Sequence, residues 1–129
     1  MTLPSNSAVD PAEPARVIIV EDEPLVAENL RDDLVEAGFE VVGVAPRVES
    51  ALKLIEGTGF DVAIIDANLA GTSAAPAAAA LSARGLPFMV LSGYAREQLQ
   101  REFLGGTFIQ KPYRTAQLID GLNAILLKR

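Results

Sequence analysis

RVIIVEDEPLVAENLRDDLVEAG, residues 16–38, decides between fold classes. Arg16 to Val20 is a continuous apolar, β-branched run of strand length, the pattern of a strand covered on both faces. Pro24 suits the first turn of a helix. Val26, Leu30, Leu34 and Ala37 then follow at helical spacing, which predicts a helix to about Ala37. Gly38 stands where a C-terminal cap belongs. A buried strand feeding an amphipathic helix is the start of a parallel α/β arrangement.

The alternation continues downstream. Val41 to Ala45 (VVGVA) reads as a second strand. Val48, Ala51, Leu52 and Ile55 match the template of a second helix, stopped by Gly57 and Gly59. Asp61 to Asp66 (DVAIID) is a third strand. Residues 73–83 are alanine-rich and helical by propensity, with Pro76 tolerable only in the first turn. Pro87 to Leu91 (PFMVL) is a fourth strand, Arg96 to Leu104 a short, weakly amphipathic helix, and Thr107 to Gln110 (TFIQ) a fifth strand. Leu118, Ile119, Leu122, Ile125 and Leu126 form the apolar stripe of a last helix. The sum is a (βα)5 chain, hence a mainly parallel sheet with helices on both faces. Residues 1–15 contain three prolines and no periodicity and are expected to be a flexible tail, leaving 16–129 as the folded domain.

Composition narrows the chemistry. The chain has 129 residues, half of them hydrophobic and 22% charged, which fits one globular domain with a sizeable core. It has no cysteine and no histidine. Disulfides, thiolate metal sites, cysteine nucleophiles, histidine bases and the usual zinc sites are therefore excluded. Any metal must be held by oxygen, which favours magnesium, calcium or manganese. A net charge of −6 makes nucleic acid a poor partner. No apolar run is long enough to span a membrane, and the N-terminus shows no secretion signal, so the expected address is the cytoplasm. Gly57-Thr58-Gly59 precedes a strand and is no dinucleotide fingerprint.

In open parallel sheets, sites form outside the carboxyl ends of the strands. After the first strand come Glu21, Asp22 and Glu23. Asp66 ends the third, Ser92 follows the fourth, and Lys111, then Pro112, follow the fifth. Two carboxylates ~4 Å apart repel by about 4 kcal/mol at an effective dielectric of about 20. Such a cluster raises its own pKa values unless a cation is present. Lys111 offsets one charge, and a hard divalent ion such as magnesium would offset the rest. Asp66 beside a metal and an ammonium is placed to accept a phosphoryl group as an acyl phosphate. Ser92 and Lys111 could then bind that group.

Four segments, VEDE (20–23), DVAIIDANLAG (61–71), LSGYA (91–95) and IQKPY (109–113), each fall at or just after a predicted strand. Taken together and in order, they resemble the receiver domain of bacterial two-component response regulators, over roughly residues 16–129. The resemblance implies a flavodoxin-like, doubly wound, five-stranded parallel sheet of order 2-1-3-4-5. It implies Asp66 as phosphoacceptor and Mg²⁺ held by Glu21, Asp22, Asp66 and the backbone carbonyl of Asn68. Ser92 and Lys111 take the family's Ser/Thr and lysine positions, the Lys111–Pro112 bond is often cis, and Phe108 is the switch aromatic. The loop after Asp66 reads NLAG where a proline often stands, and the acidic pair is Glu-Asp. Pro76, ARGLPF and LSGY also resemble an alphaproteobacterial subgroup with a Phe-Ala-Thr-Gly-hydrophobic-Tyr motif, which Val90 to Gly93 match only in part. In that subgroup residues 95–106 would be short or mobile, and Tyr94 would share the switch with Phe108.

The implied function is a stand-alone signalling domain rather than an enzyme. A histidine kinase or histidine phosphotransfer protein would phosphorylate it, and it would act on a downstream protein or as a phosphate sink. The alternative is a receiver-like binding module that no longer uses phosphate. A phosphatase forming an aspartyl phosphate ranks last, because such enzymes need a second acid where Asn68 stands.

Overall fold

The computed structural model describes residues 13–128. Their regular elements are β1 (Arg16–Val20), α1 (Pro24–Glu36), β2 (Glu40–Ala45), α2 (Val48–Gly57), β3 (Val62–Asp66), β4 (Asn68–Leu69), β5 (Thr72–Ser73), α3 (Ala75–Ala83), β6 (Phe88–Ser92), β7 (Thr107–Gln110) and α4 (Thr115–Leu127). Five strands form one parallel sheet of order β2-β1-β3-β6-β7. Counting only these five, that is the expected 2-1-3-4-5. Residues 1–12, where most of the expected tail falls, lie outside the described residues. Ala15, assigned to the same tail, is instead buried, and its carbonyl accepts the Glu40 N–H at 2.9 Å.

The continuous apolar strands are buried on both faces because each face carries its own core. Val17, Ile19, Val62, Ile64, Met89 and Leu91 pack with Leu30 and Leu34 of α1 and with Leu118, Leu122 and Leu126 of α4. The intervening Ile18, Val20, Ala63, Ile65, Phe88 and Val90 pack with Ala51 and Ile55 of α2 and Ala77, Ala78 and Leu81 of α3. This is the period-2 alternation of a strand turned into two helical layers.

The turn after α1 shows how tightly local sequence sets the frame. Gly38 adopts φ +97°. Its N–H reaches the Val35 carbonyl at 3.1 Å, and the Phe39 N–H reaches the Leu34 carbonyl at 2.9 Å. These are the two bonds of a Schellman cap. The cap ends the helix at Ala37, which is exposed rather than part of the apolar face. The buried contact passes to Phe39, and Ala27 replaces Val26 as the buried residue of the first turn.

One expectation is corrected. The stretch from Arg96 to Leu104 is not an α-helix but two 3₁₀ turns, Arg96–Gln98 and Arg101–Gly105. Leu99 and Gln100 between them are extended, with ψ 148° and 149°. Phe103 is the one buried side chain in these turns, too little apolar surface to hold an α-helix against the sheet. The loop after Asp66 forms a β4–β5 hairpin whose tip residues, Ala70 and Gly71, have φ +53° and +89°. Two consecutive positive φ values define a two-residue hairpin turn of the kind that matches strand twist.

Candidate functional site

The parallel registers bring the strand ends to one edge. Asp66 is level with Leu91, and Ser92 with Gln110. The Lys111 N–H continues the ladder, donating to the Ser92 carbonyl at 2.7 Å. Glu21 stays in register through its N–H, which donates to the Ala45 carbonyl at 3.0 Å. Residues far apart in sequence are therefore assembled by backbone pairing alone.

Carboxylate oxygens of Glu21, Asp22 and Asp66 lie within 4.8 Å of one another. Glu21 and Asp66 are buried, at 3% and 6% exposure, and Asp22 is half-buried. Asp66 is held on both oxygens. Its Oδ1 accepts the Asn68 N–H at 3.0 Å, and its Oδ2 accepts the Lys111 ammonium at 2.6 Å. The ammonium is thus drawn into the acidic edge, as a charge-assisted bond requires. The Lys111–Pro112 peptide is cis.

Glu21 is the exceptional group. One oxygen accepts the Glu23 N–H at 3.1 Å, but Oε1 is buried and has no hydrogen-bond partner among the described residues. Burial pushes its pKa up to about 7, and the Asp66 carboxylate adds to the rise. The Glu23 N–H and the Lys111 charge oppose it. A buried carboxylate oxygen without a donor is costly, and a hard cation among the three acids would satisfy it. The donor set is oxygen throughout, so the residues fit magnesium. Glu23 is exposed and joins the arrangement only through its backbone N–H.

Ser92 is 3% exposed, and its Oγ accepts the Tyr94 N–H at 3.0 Å. That places a hydroxyl at the same edge as Asp66 and Lys111. The Tyr94 ring is 60% exposed, while Phe108 is half-buried. Asn68 begins the hairpin. Its side-chain oxygen accepts the Gly71 N–H at 2.7 Å, which leaves its backbone to face Asp66.

Sequence reasoning overlooked Tyr113. It is half-buried against the α1–α4 core. Burial, then the charges of Glu21, Asp33 and Asp66, raise its pKa. The phenol therefore lies within the field of the acidic pocket. Its place two residues after Lys111 was the available signal.

Among the described residues no helix is long and apolar enough to cross a membrane. Residues 17–123 match the response regulator receiver domain family. The chain is 31% identical over 127 residues to the transcriptional regulatory protein PdtaR of Mycobacterium tuberculosis, covering 95% of this chain and 62% of that protein. It thus spans less than two thirds of that relative. The solution structure of SdrG from Sphingomonas melonis Fr1 is 36% identical, with a TM-score of 0.75 and coverage of 94% of this chain and 98% of that one. A CheY-like receiver domain protein from Methanospirillum hungatei JF-1 has a TM-score of 0.80 at 24% identity, covering 89% and 95% of the two chains, and attests the shared fold.

Proposed function

This chain belongs to the response regulator receiver domain family of two-component signalling, and we propose that it works as a phosphoryl-switched domain with Asp66 as acceptor. A phosphohistidine on a partner kinase or phosphotransfer protein donates the group. The P–N bond to the imidazole breaks, a P–O bond to an Asp66 carboxylate oxygen forms, and the imidazole leaves with a proton from solvent. One observation carries the reading. Asp66 is buried and pinned on both oxygens, by Asn68 and Lys111, beside a Glu21 oxygen that has no partner among the described residues.

Glu21, Asp22, Asp66 and the Asn68 carbonyl would hold Mg²⁺, which when bound neutralises charge on the acids and the incoming phosphoryl oxygens. The chain's own groups do the rest. The Asn68 N–H orients the acceptor. Lys111 stands in ion contact with Asp66 and can transfer that contact to a phosphoryl oxygen. The Ser92 hydroxyl can donate to another, giving up its local role at the Tyr94 N–H. Movement of Ser92 and Lys111 toward the new group would bias Tyr94 and Phe108 and so change the face offered to a downstream protein. A regulatory rather than enzymatic role and a cytoplasmic setting belong to the same proposal, and the phosphorylated form could equally drain phosphoryl groups from the kinase.

Incubation with acetyl phosphate and Mg²⁺ is expected to add one phosphate, located on Asp66 by mass spectrometry and absent in Asp66→Asn. No added phosphate from either acetyl phosphate or a phosphorylated kinase would overturn the reading. The 3₁₀ turns and the exposed Tyr94 favour one second reading, a binding module indifferent to phosphate. Unchanged partner affinity in Asp66→Asn would select it.

A further inference from the structure

Asn68 and Ser73 face one another across the β4–β5 hairpin. Asn68 is the residue whose N–H aims Asp66 Oδ1. Ser73 has two further links. Its Oγ accepts the Ala75 N–H at 3.1 Å, opening α3, and donates to the side-chain oxygen of Gln100. Gln100 lies between the two 3₁₀ turns, in the extended residues that interrupt them. A path of direct contacts therefore runs from the 94–106 segment to the acceptor aspartate: Gln100 to Ser73, across the hairpin to Asn68, and from Asn68 to Asp66. It does not pass through Ser92.

The surroundings make this link mechanically significant. A cavity of about 240 Å³ separates the hairpin from the 3₁₀ turns, lined by Asn68, Ser73, Gln100 and Phe103 among others. The Ser73–Gln100 bond spans this gap. Of the segment's other side-chain bonds, one is internal, with Gln98 Oε1 accepting the Ala95 N–H at 2.9 Å, and one joins the Tyr94 N–H to Ser92 Oγ. Phe103 anchors the segment near α3 and shares a buried apolar cluster with Leu69 of the hairpin, so the Ser73–Gln100 bond is the polar link between them.

We propose that Gln100 is a positioning residue for the acidic pocket: by holding Ser73 it sets the hairpin, and with it the Asn68 backbone that orients Asp66 and would face the ion. The same contacts report the state of the pocket to residues 94–106 by a route separate from Ser92. This rests on the ion-dependent function proposed above.

Calorimetric titration of the full chain with MgCl₂ alone tests it, read beside the Asn68 and Gly71 amide resonances. Gln100→Ala should weaken Mg²⁺ binding by about three- to tenfold and shift both resonances, the size expected for losing one partly exposed hydrogen bond. Ser73→Ala in the Gln100→Ala background should add less than twofold to the loss of Mg²⁺ affinity, since the bond to Gln100 is already gone and the remaining Ser73 bond, from the Ala75 N–H, opens α3 rather than holding Asn68. Ser73→Thr, which keeps the hydroxyl, should bind nearly as the unsubstituted chain does. Gln98→Ala, which loosens the same segment without touching the hairpin, should leave affinity within twofold. Unchanged Mg²⁺ affinity in Gln100→Ala, or an equal loss in Gln98→Ala, would overturn this inference and leave the function intact. No saturable Mg²⁺ uptake by the unsubstituted chain would overturn both.

Discussion

Glu21→Gln should make the metal-free protein more stable, and only at the right pH. In the folded chain the Glu21 pKa is raised from 4.5 to about 7, chiefly by burial. That difference amounts to about 3 kcal/mol of preference for the protonated form. The sign follows from linkage. Below about pH 4.5 the carboxyl is protonated in both folded and unfolded chains, and it exerts no pH-dependent penalty. Between pH 4.5 and 7 the unfolded chain releases the proton and the folded chain retains it, so stability is lost as pH rises. Above pH 7 the whole penalty is present. A glutamine keeps an oxygen for the Glu23 N–H and carries no charge, so it escapes that penalty. In urea melts without divalent ions, Glu21→Gln should match the parent near pH 4 and exceed it by about 2–3 kcal/mol at pH 8. Mg²⁺ should then close that gap, because an ion at 100 times its Kd adds about 2.7 kcal/mol to the chain that binds it. Equal stabilities at pH 8 without Mg²⁺, or equal Mg²⁺ stabilisation of both chains, would refute the reasoning.

Lys111→Met should raise Mg²⁺ affinity while slowing phosphorylation. It removes a cation 2.6 Å from Asp66, and after allowance for its partial exposure the gain should be about tenfold by calorimetry. Gly106→Ala should destabilise by about 1–3 kcal/mol in thermal melts, because the new Cβ would sit 2.4 Å from a ring carbon of Phe88 and 2.8 Å from its carbonyl. Phe88 is itself buried, and its carbonyl belongs to the β6 backbone. Ala70→Gly should raise the urea midpoint, by up to about 1 kcal/mol, since it relieves a φ of +53° at the hairpin tip. A lower midpoint would show that the turn is not strained.

The sheet was legible because its three inner strands are nearly unbroken apolar runs, the pattern of parallel strands covered on both faces, alternating with helical segments. The acidic edge was legible for a related reason. Once strands run parallel, the residues after Val20, Ile65, Leu91 and Gln110 must share an edge, whatever their separation in sequence. What escaped were features set by contacts rather than by period. Arg96 to Leu104 carries Leu99, Phe103 and Leu104 at helical spacing, yet too few of them reach the core, and the backbone straightens at Leu99 and Gln100. The β4–β5 hairpin has strands of two residues, too short for any alternation to appear. Tyr113 went unread, because its place in the field of Glu21 and Asp66 exists only after folding.

The two short turns between Tyr94 and Gly106 have a kinetic consequence. Their backbone bonds span three residues, such as Gln98 to Ala95 and Phe103 to Gln100, and only Phe103 is sunk in the core. Opening such a stretch requires little free energy compared with unzipping β3 or β6. Its amides should therefore exchange with deuterium many times while those strands stay closed. A protein that grips this stretch can select among its conformers without disturbing the rigid frame beneath, so recognition and chemistry can change independently of one another.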